Sequence, residues 1–457
     1  MNDREPVIQR KSGLGILANS RSLLSITIAC SIIMVLDSIL VSLYLSMPKA
    51  PAPLFNYYLF VGFVMFFLFT NYIFLKYVIS TRPNEKIGSQ RRLVFFDKLV
   101  VVSQIFVSVV LITVIVQIHL EEQYSLLLSL IIVFVSHLTA IGFLIFLVFR
   151  FIRWLSTNRN YLILLYAYAF TSIIIYLIAS LLLLNISFSL RAAEVQMKSI
   201  RISFADYSSY GTRLLLLSDL TTYLSVISFV STWVPSALLL RNYSRNLRKF
   251  RFWALASLPL LYFIVPFLSN EFALFDNLLL EYGAQFNTIY YMLFGAYRQV
   301  GGLLFGIVFW VIAYKVERTY LKKVIEIAGI GMTILFGSSV LHGLANIVAP
   351  PFGLVTISFM GLGSYMLMMG ILSASVILSR DTAIRREIFK IVGENKGLLG
   401  SIGIAEMSHG LEDRINVILD KTKDLRDDPL EPLSKEMDYK KYLEEVLTEL
   451  KSKEDRE

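Results

Sequence analysis

The sequence holds one cysteine, Cys30, so an intrachain disulfide framework and a thiolate metal cluster are both excluded. Histidine is scarce, with four in 457 residues. His119, His137 and His342 share neither the i, i+4 helical spacing nor the cysteine neighbour of a metal or haem site. No metal or cofactor is therefore expected. There is no phosphate-cradling P-loop, no Rossmann glycine run, no HExxH and no GxSxG string. Without a catalytic set, the chain does not read as an enzyme. Charge is sparse too: Asp, Glu, Lys and Arg make up 17% of residues, against about 25% in soluble domains.

Apolar residues replace the missing charge, in long runs. They account for 56% of the chain, and about 20 in succession are enough for a helix to cross the hydrocarbon core. Lipid offers no partner to backbone amides, so such runs must be helical. The expected fold is all-α: a polytopic transmembrane bundle with about ten spans, at 23–47, 57–79, 99–120, 125–148, 161–184, 214–240, 252–268, 288–313, 324–348 and 354–379. The seventh is short and carries Pro259 and Pro266, so it is the one expected to kink or re-enter. An N-terminal segment, 1–22, precedes the bundle. The first apolar run is longer than the core of a cleavable signal peptide.

The body to residue 379 holds 28 Lys and Arg against 15 Asp and Glu; 380–457 holds 15 against 19, a polar, acidic tail. With the N-terminus inside, the inner loops carry 17 basic residues, in groups around Arg91, Arg153, Arg245 and Lys322, and the outer loops carry five. The basic excess is thus an orientation signal, with both termini cytoplasmic in a cell membrane, and not a nucleic-acid footprint. The longest outer loop, 185–213, is read as a plain connector, with a short amphipathic surface helix as the alternative.

Twelve of the 24 glycines lie between Gly295 and Gly370, including the Gly302/Gly306 GxxxG pair. Small residues let helix backbones approach in lipid, so 288–379 is read as a tight sub-bundle. The two five-span halves share no motif, which argues against an inverted repeat.

Ionisable groups inside spans are costly and mark function by default. Asp37 lies near the middle of span one and Arg298 in span eight, where the two are able to pair. His137 near mid-span four and His342 in span nine complete the intramembrane polar candidates. Lys76 snorkels to the headgroups, and Asp219 and Glu326 sit near span ends where water reaches them.

In the tail, Ile384, Ile388, Phe389 and Val392 mark a first amphipathic stretch. Gly397, Gly400 and Gly403 are expected to break the chain. A second helix over 404–425 carries Ile404, Met407, Leu411, Ile415 and Ile418 on one face, and a third covers 435–453. Such stripes need a partner, so 404–453 is read as a docking segment for a cytoplasmic protein or a second copy of the chain.

The string Met407-Ser408-His409-Gly410-Leu411 resembles the phosphoacceptor helix of sensor histidine kinases, which would make His409 a phosphoacceptor. Gly410 stands where that family has an acid and Arg414 where it has proline, and the 48 residues after His409 are too few for an ATP-binding domain. Span ten with Leu398–Met407 is similar to uncharacterised multi-span membrane proteins of ammonia-oxidising archaea. That resemblance implies an archaeal source and no activity. The pattern as a whole reads as a membrane sensor or signal-relay protein acting through its tail. The alternative is a secondary transporter with an Asp37/Arg298 coupling site.

Overall fold

The computed structural model describes residues 20–46, 53–81, 90–121, 124–197, 204–243, 248–272, 275–316, 318–339, 350–381, 384 and 397–424. The described elements are helices: α1 (Ser20–Ser46), α2 (Pro53–Ser80), α3 (Gln90–Glu121), α4 (Leu126–Thr157), α5 (Tyr161–Met197), α6 (Phe204–Tyr243), α7 (Lys249–Phe272), α8 (Asp276–Phe294), α9 (Tyr297–Lys315), α10 (Thr319–Gly337), α11 (Leu354–Ser358), α12 (Met360–Arg380) and α13 (Leu398–Asp424). Among the described residues, nine stretches are long and apolar enough to cross a membrane. The chain is an all-α, multi-pass membrane bundle.

The outward faces agree. Ile28, Ile32 and Leu36 on α1 are exposed four residues apart, as are Val102, Ile105, Val109, Ile112 and Val116 on α3 at helical spacing. In water such stripes would drive aggregation; in a bilayer they are the lipid-facing surface.

The ninth expected span, 324–348, corresponds to α10, which carries Lys322, Lys323 and Glu326 in its first turns. It is described to Ser339, and the rest of 324–348, His342 included, lies outside the described residues. The helix is enclosed: every residue from Val324 to Gly337 is buried, mainly between α9 and α12. Glu326 is consequently 2% exposed, a correction to the expectation that headgroup water reaches it. Glycines permit this closeness. A Cβ on Gly370 would lie 2.5 Å from the Ala328 backbone nitrogen, and one on Gly331 would overlap the backbone of Leu367.

Three further expectations change. α7 runs as one helix through Pro259 and Pro266. The break falls in the eighth span, at Gly295–Ala296 between α8 and α9. The 185–213 connection is largely helix extension, since α5 has 37 residues and α6 has 40. At 1.5 Å per residue both exceed the roughly 30 Å hydrocarbon core. Finally, Gly400 and Gly403 do not break the chain but lie inside α13. A Cβ on Gly403 would lie 2.6 Å from Leu378 Cβ, so glycine serves close packing on α12.

The chain divides into two compact units, Met1–Glu406 and Met407–Glu457. The second is described to Asp424. The N-terminal segment, the amphipathic stretch after Ile384 and the 435–453 helix lie outside the described residues.

Candidate functional site

A polar layer crosses the apolar bundle where α1 meets α11 and α9. Asp37 on α1 is fully buried. Its carboxylate accepts hydrogen bonds from the Gly353 amide (2.8 Å), the Thr356 amide (3.2 Å) and the Thr356 hydroxyl (2.6 Å). These donors are the opening of α11. Gly353 takes φ +86°, which glycine tolerates, and no side chain of its own segment caps the helix. Helix N-terminal amides need an acceptor, and lipid has none. Asp37 therefore acts as a cap supplied by a distant helix, with the helix dipole favouring its negative charge. Both carboxylate oxygens face N–H or O–H donors, an arrangement that suits an anion and repels a cation.

The next residue ties α1 to α9. Gln299 Nε2 donates to Ser38 Oγ at 3.0 Å, while the Ser38 hydroxyl donates to the Met34 carbonyl at 2.8 Å. Ser42, one turn on, reaches the Gly295 carbonyl at 3.4 Å, in the α8–α9 break.

Arg298 lies beside Gln299 and is 5% exposed. Its Nε donates to Ser339 Oγ at 2.9 Å, Nη2 donates to Ser228 Oγ at 3.1 Å, and Nη1 donates to the Ser225 hydroxyl and, at 3.4 Å, to the Ser225 carbonyl. The guanidinium stacks on Tyr176, 3.9 Å from the ring centroid. The expected Asp37–Arg298 ion pair is therefore not formed. Each group is held by its own neutral neighbours, and the link between them runs through the adjacent Ser38 and Gln299. The serine cradle escapes sequence reading because serine is unremarkable in a span. Its signal is a hydroxyl stripe on α6, where Thr221, Ser225, Ser228, Thr232 and Ser236 recur every three or four residues and are all buried.

His137 is fully buried. Nδ1 lies 2.9 Å from the Val133 carbonyl and Nε2 lies 3.5 Å from Ser180 Oγ on α5, so the ring ties two helices. His119 stacks on Tyr57 with centroids 5.9 Å apart. Among the described residues, no three His, Cys, Asp or Glu side chains gather as a metal site.

A second constellation lies at the α4–α5 turn. Trp154 Nε1 donates to Glu406 Oε2 at 2.7 Å, and Arg150 stands 3.8 Å from Oε1. Asn158 Nδ2 donates to the Ser401 carbonyl at 3.2 Å and Asn160 Nδ2 to the Ser401 hydroxyl at 2.6 Å. Asn160 Oδ1 also accepts from the Leu162 amide at 2.8 Å, capping α5. With Leu398, Leu399, Ile402 and Ala405 buried, the first turns of α13 are fastened to the bundle by apolar packing and four polar contacts. Beyond them, His409 is buried, not solvent-facing, and its Nδ1 lies 3.6 Å from Glu412 Oε2.

No family model, curated protein or solved structure matches the chain. The functional reading rests on these two constellations.

Proposed function

We propose that this chain is a membrane sensor that relays a change in its bundle to a cytoplasmic partner through its C-terminal tail. The supporting observation is the fastening of α13 by Glu406 and Ser401 to the α4–α5 turn. A helix gripped by side chains of α4 and of the turn that joins it to α5 moves when those spans move. In this reading the bilayer is a cell membrane, both termini face the cytoplasm, and 404–453 presents its apolar stripes to a partner or a second copy. His409 is a helix residue rather than a phosphoacceptor, since burial and Glu412 occupy its ring. Deleting 397–457 and comparing the proteins that co-purify tests the relay. Partners lost with the tail support it, and an unchanged set overturns it.

A second reading, secondary transport, draws on the burial of Asp37 and Arg298 in one polar layer. Proteoliposomes would then show ion- or proton-driven uptake abolished by Asp37→Asn. Uptake equal to that of empty vesicles for all substrates tried counts against it.

A further inference from the structure

Arg298 is the only arginine or lysine buried among the described residues. A lone charge in hydrocarbon is among the costliest groups a span can carry, and it is normally met by an opposite charge or by water. Here the described partners are neutral: three serine hydroxyls, one carbonyl and the face of Tyr176. The buried acid of the same layer, Asp37, is held by Gly353 and Thr356 instead. In the sequence after Ser339, residues 340–349 contain no Asp or Glu. Among the described residues, the site thus holds one positive charge without a countercharge.

The serines are suited to more than cradling the guanidinium. Ser228 Oγ donates to the Ser225 carbonyl at 2.9 Å and Ser339 Oγ to the Phe336 carbonyl at 2.8 Å, while both accept from Arg298. Those donations satisfy their own helices and are not obligatory. A hydroxyl rotates freely between donor and acceptor roles. Turned away from their own helices, Ser225, Ser228 and Ser339 become a set of O–H donors around a cation.

We propose that Arg298, with Ser225, Ser228 and Ser339, binds a small monovalent anion inside the membrane. A single negative charge neutralises the site, and the near-complete burial of Arg298 admits a compact ion and excludes a bulky one. The chemistry is that of a halide or nitrate: diffuse charge, weak hydration, and preference for N–H and O–H donors. This proposal stands apart from the tail relay, and its failure would leave that reading intact.

The test is thermal unfolding of the purified full-length chain in neutral detergent. Chloride, bromide or nitrate is titrated against gluconate at constant ionic strength. A ligand bound only by the folded state raises Tm in a saturable way. The expected result is a saturable rise of several degrees for the wild type, a weaker rise for Arg298→Lys, and a flat response for Arg298→Gln. If Arg298→Gln does not fold, Ser225→Ala is read instead, with the half-saturating concentration expected to increase about tenfold, as for loss of one hydrogen bond to a charged group. A flat wild-type response, parallel responses in wild type and Arg298→Gln, or a rise with added phosphatidylglycerol but with none of the ions would overturn the proposal.

Discussion

Asp37 and Gly353 are 316 positions apart in sequence and 2.8 Å apart in the fold. The contact joins the first span to the last and satisfies both ends of a difficult bargain: a carboxylate in lipid gains donors, and a helix start in lipid gains an acceptor.

Removing that carboxylate is expected to loosen α11. Asp37→Ala leaves two amides and the Thr356 hydroxyl without their acceptor. At about 1–3 kcal/mol for each buried group left unsatisfied, the loss is on the order of 3–6 kcal/mol, allowing for partial relaxation. Thr356→Val removes one donor only and is expected to cost about 1 kcal/mol. Denaturant unfolding in detergent measures both. The double variant should cost less than the sum of the two single changes, because the groups share one network. Strict additivity would show that they do not interact.

The grip on α13 is predicted to reside in the Trp154 indole more than in the Arg150 charge. The indole bond is 2.7 Å, whereas the ion pair is 3.8 Å and partly exposed, where screening leaves it about 0–1 kcal/mol. Glu406→Gln keeps an oxygen acceptor and should have little effect. Glu406→Ala and Trp154→Phe should each weaken the first turns of α13 by about 1.5–3 kcal/mol. Amide exchange over 398–406 would then quicken roughly tenfold to a hundredfold. Equal effects of Glu406→Gln and Glu406→Ala would reverse the assignment.

The spans were legible because bilayer thickness imposes a length on every apolar run. α10 was harder to read, because Lys322, Lys323 and Glu326 sit at its start and only tertiary enclosure by α9 and α12 hides Glu326. Asp37 and Arg298 stood out as charges in apolar sequence, but their partners did not. Gly353 and Thr356 contribute backbone amides, which any residue carries, and the serines around Arg298 look like ordinary span residues until α6, α9 and α10 come together. Glycines gave a mixed signal. Those at 400 and 403 suggested a break, yet inside a packed helix the same residue marks where another helix leans in.

Close packing of α10 on α12 makes a contrast between glycines measurable. Gly331→Ala places a methyl group on the Leu367 backbone and forces the helices apart. Overpacking of this kind costs about 1–3 kcal/mol. Gly62 on α2 has nothing within 4 Å of its would-be Cβ, so Gly62→Ala should be neutral or stabilising by up to about 1 kcal/mol through helix propensity. Thermal unfolding of the two variants side by side checks the sub-bundle. A Gly331→Ala protein as stable as the wild type would mean that α10 and α12 do not approach as described.

Orientation is the remaining prediction, and the lone cysteine makes it tractable. Cys30 is 1% exposed, so an impermeant maleimide is not expected to reach it and the wild type supplies a quiet background. The proposed topology puts the basic loop around Arg245 in the cytoplasm and the acidic stretch around Glu281 outside, because Lys and Arg are retained on the cytoplasmic side during insertion. In intact cells, Glu281→Cys should therefore label readily. Arg245→Cys should label only after permeabilisation. Labelling of Arg245→Cys in sealed cells would invert the bundle, moving the Glu406–Trp154 fastening to the exterior and removing the cytoplasmic relay. The same result would leave the Arg298 cradle untouched, since its geometry does not depend on which side faces in.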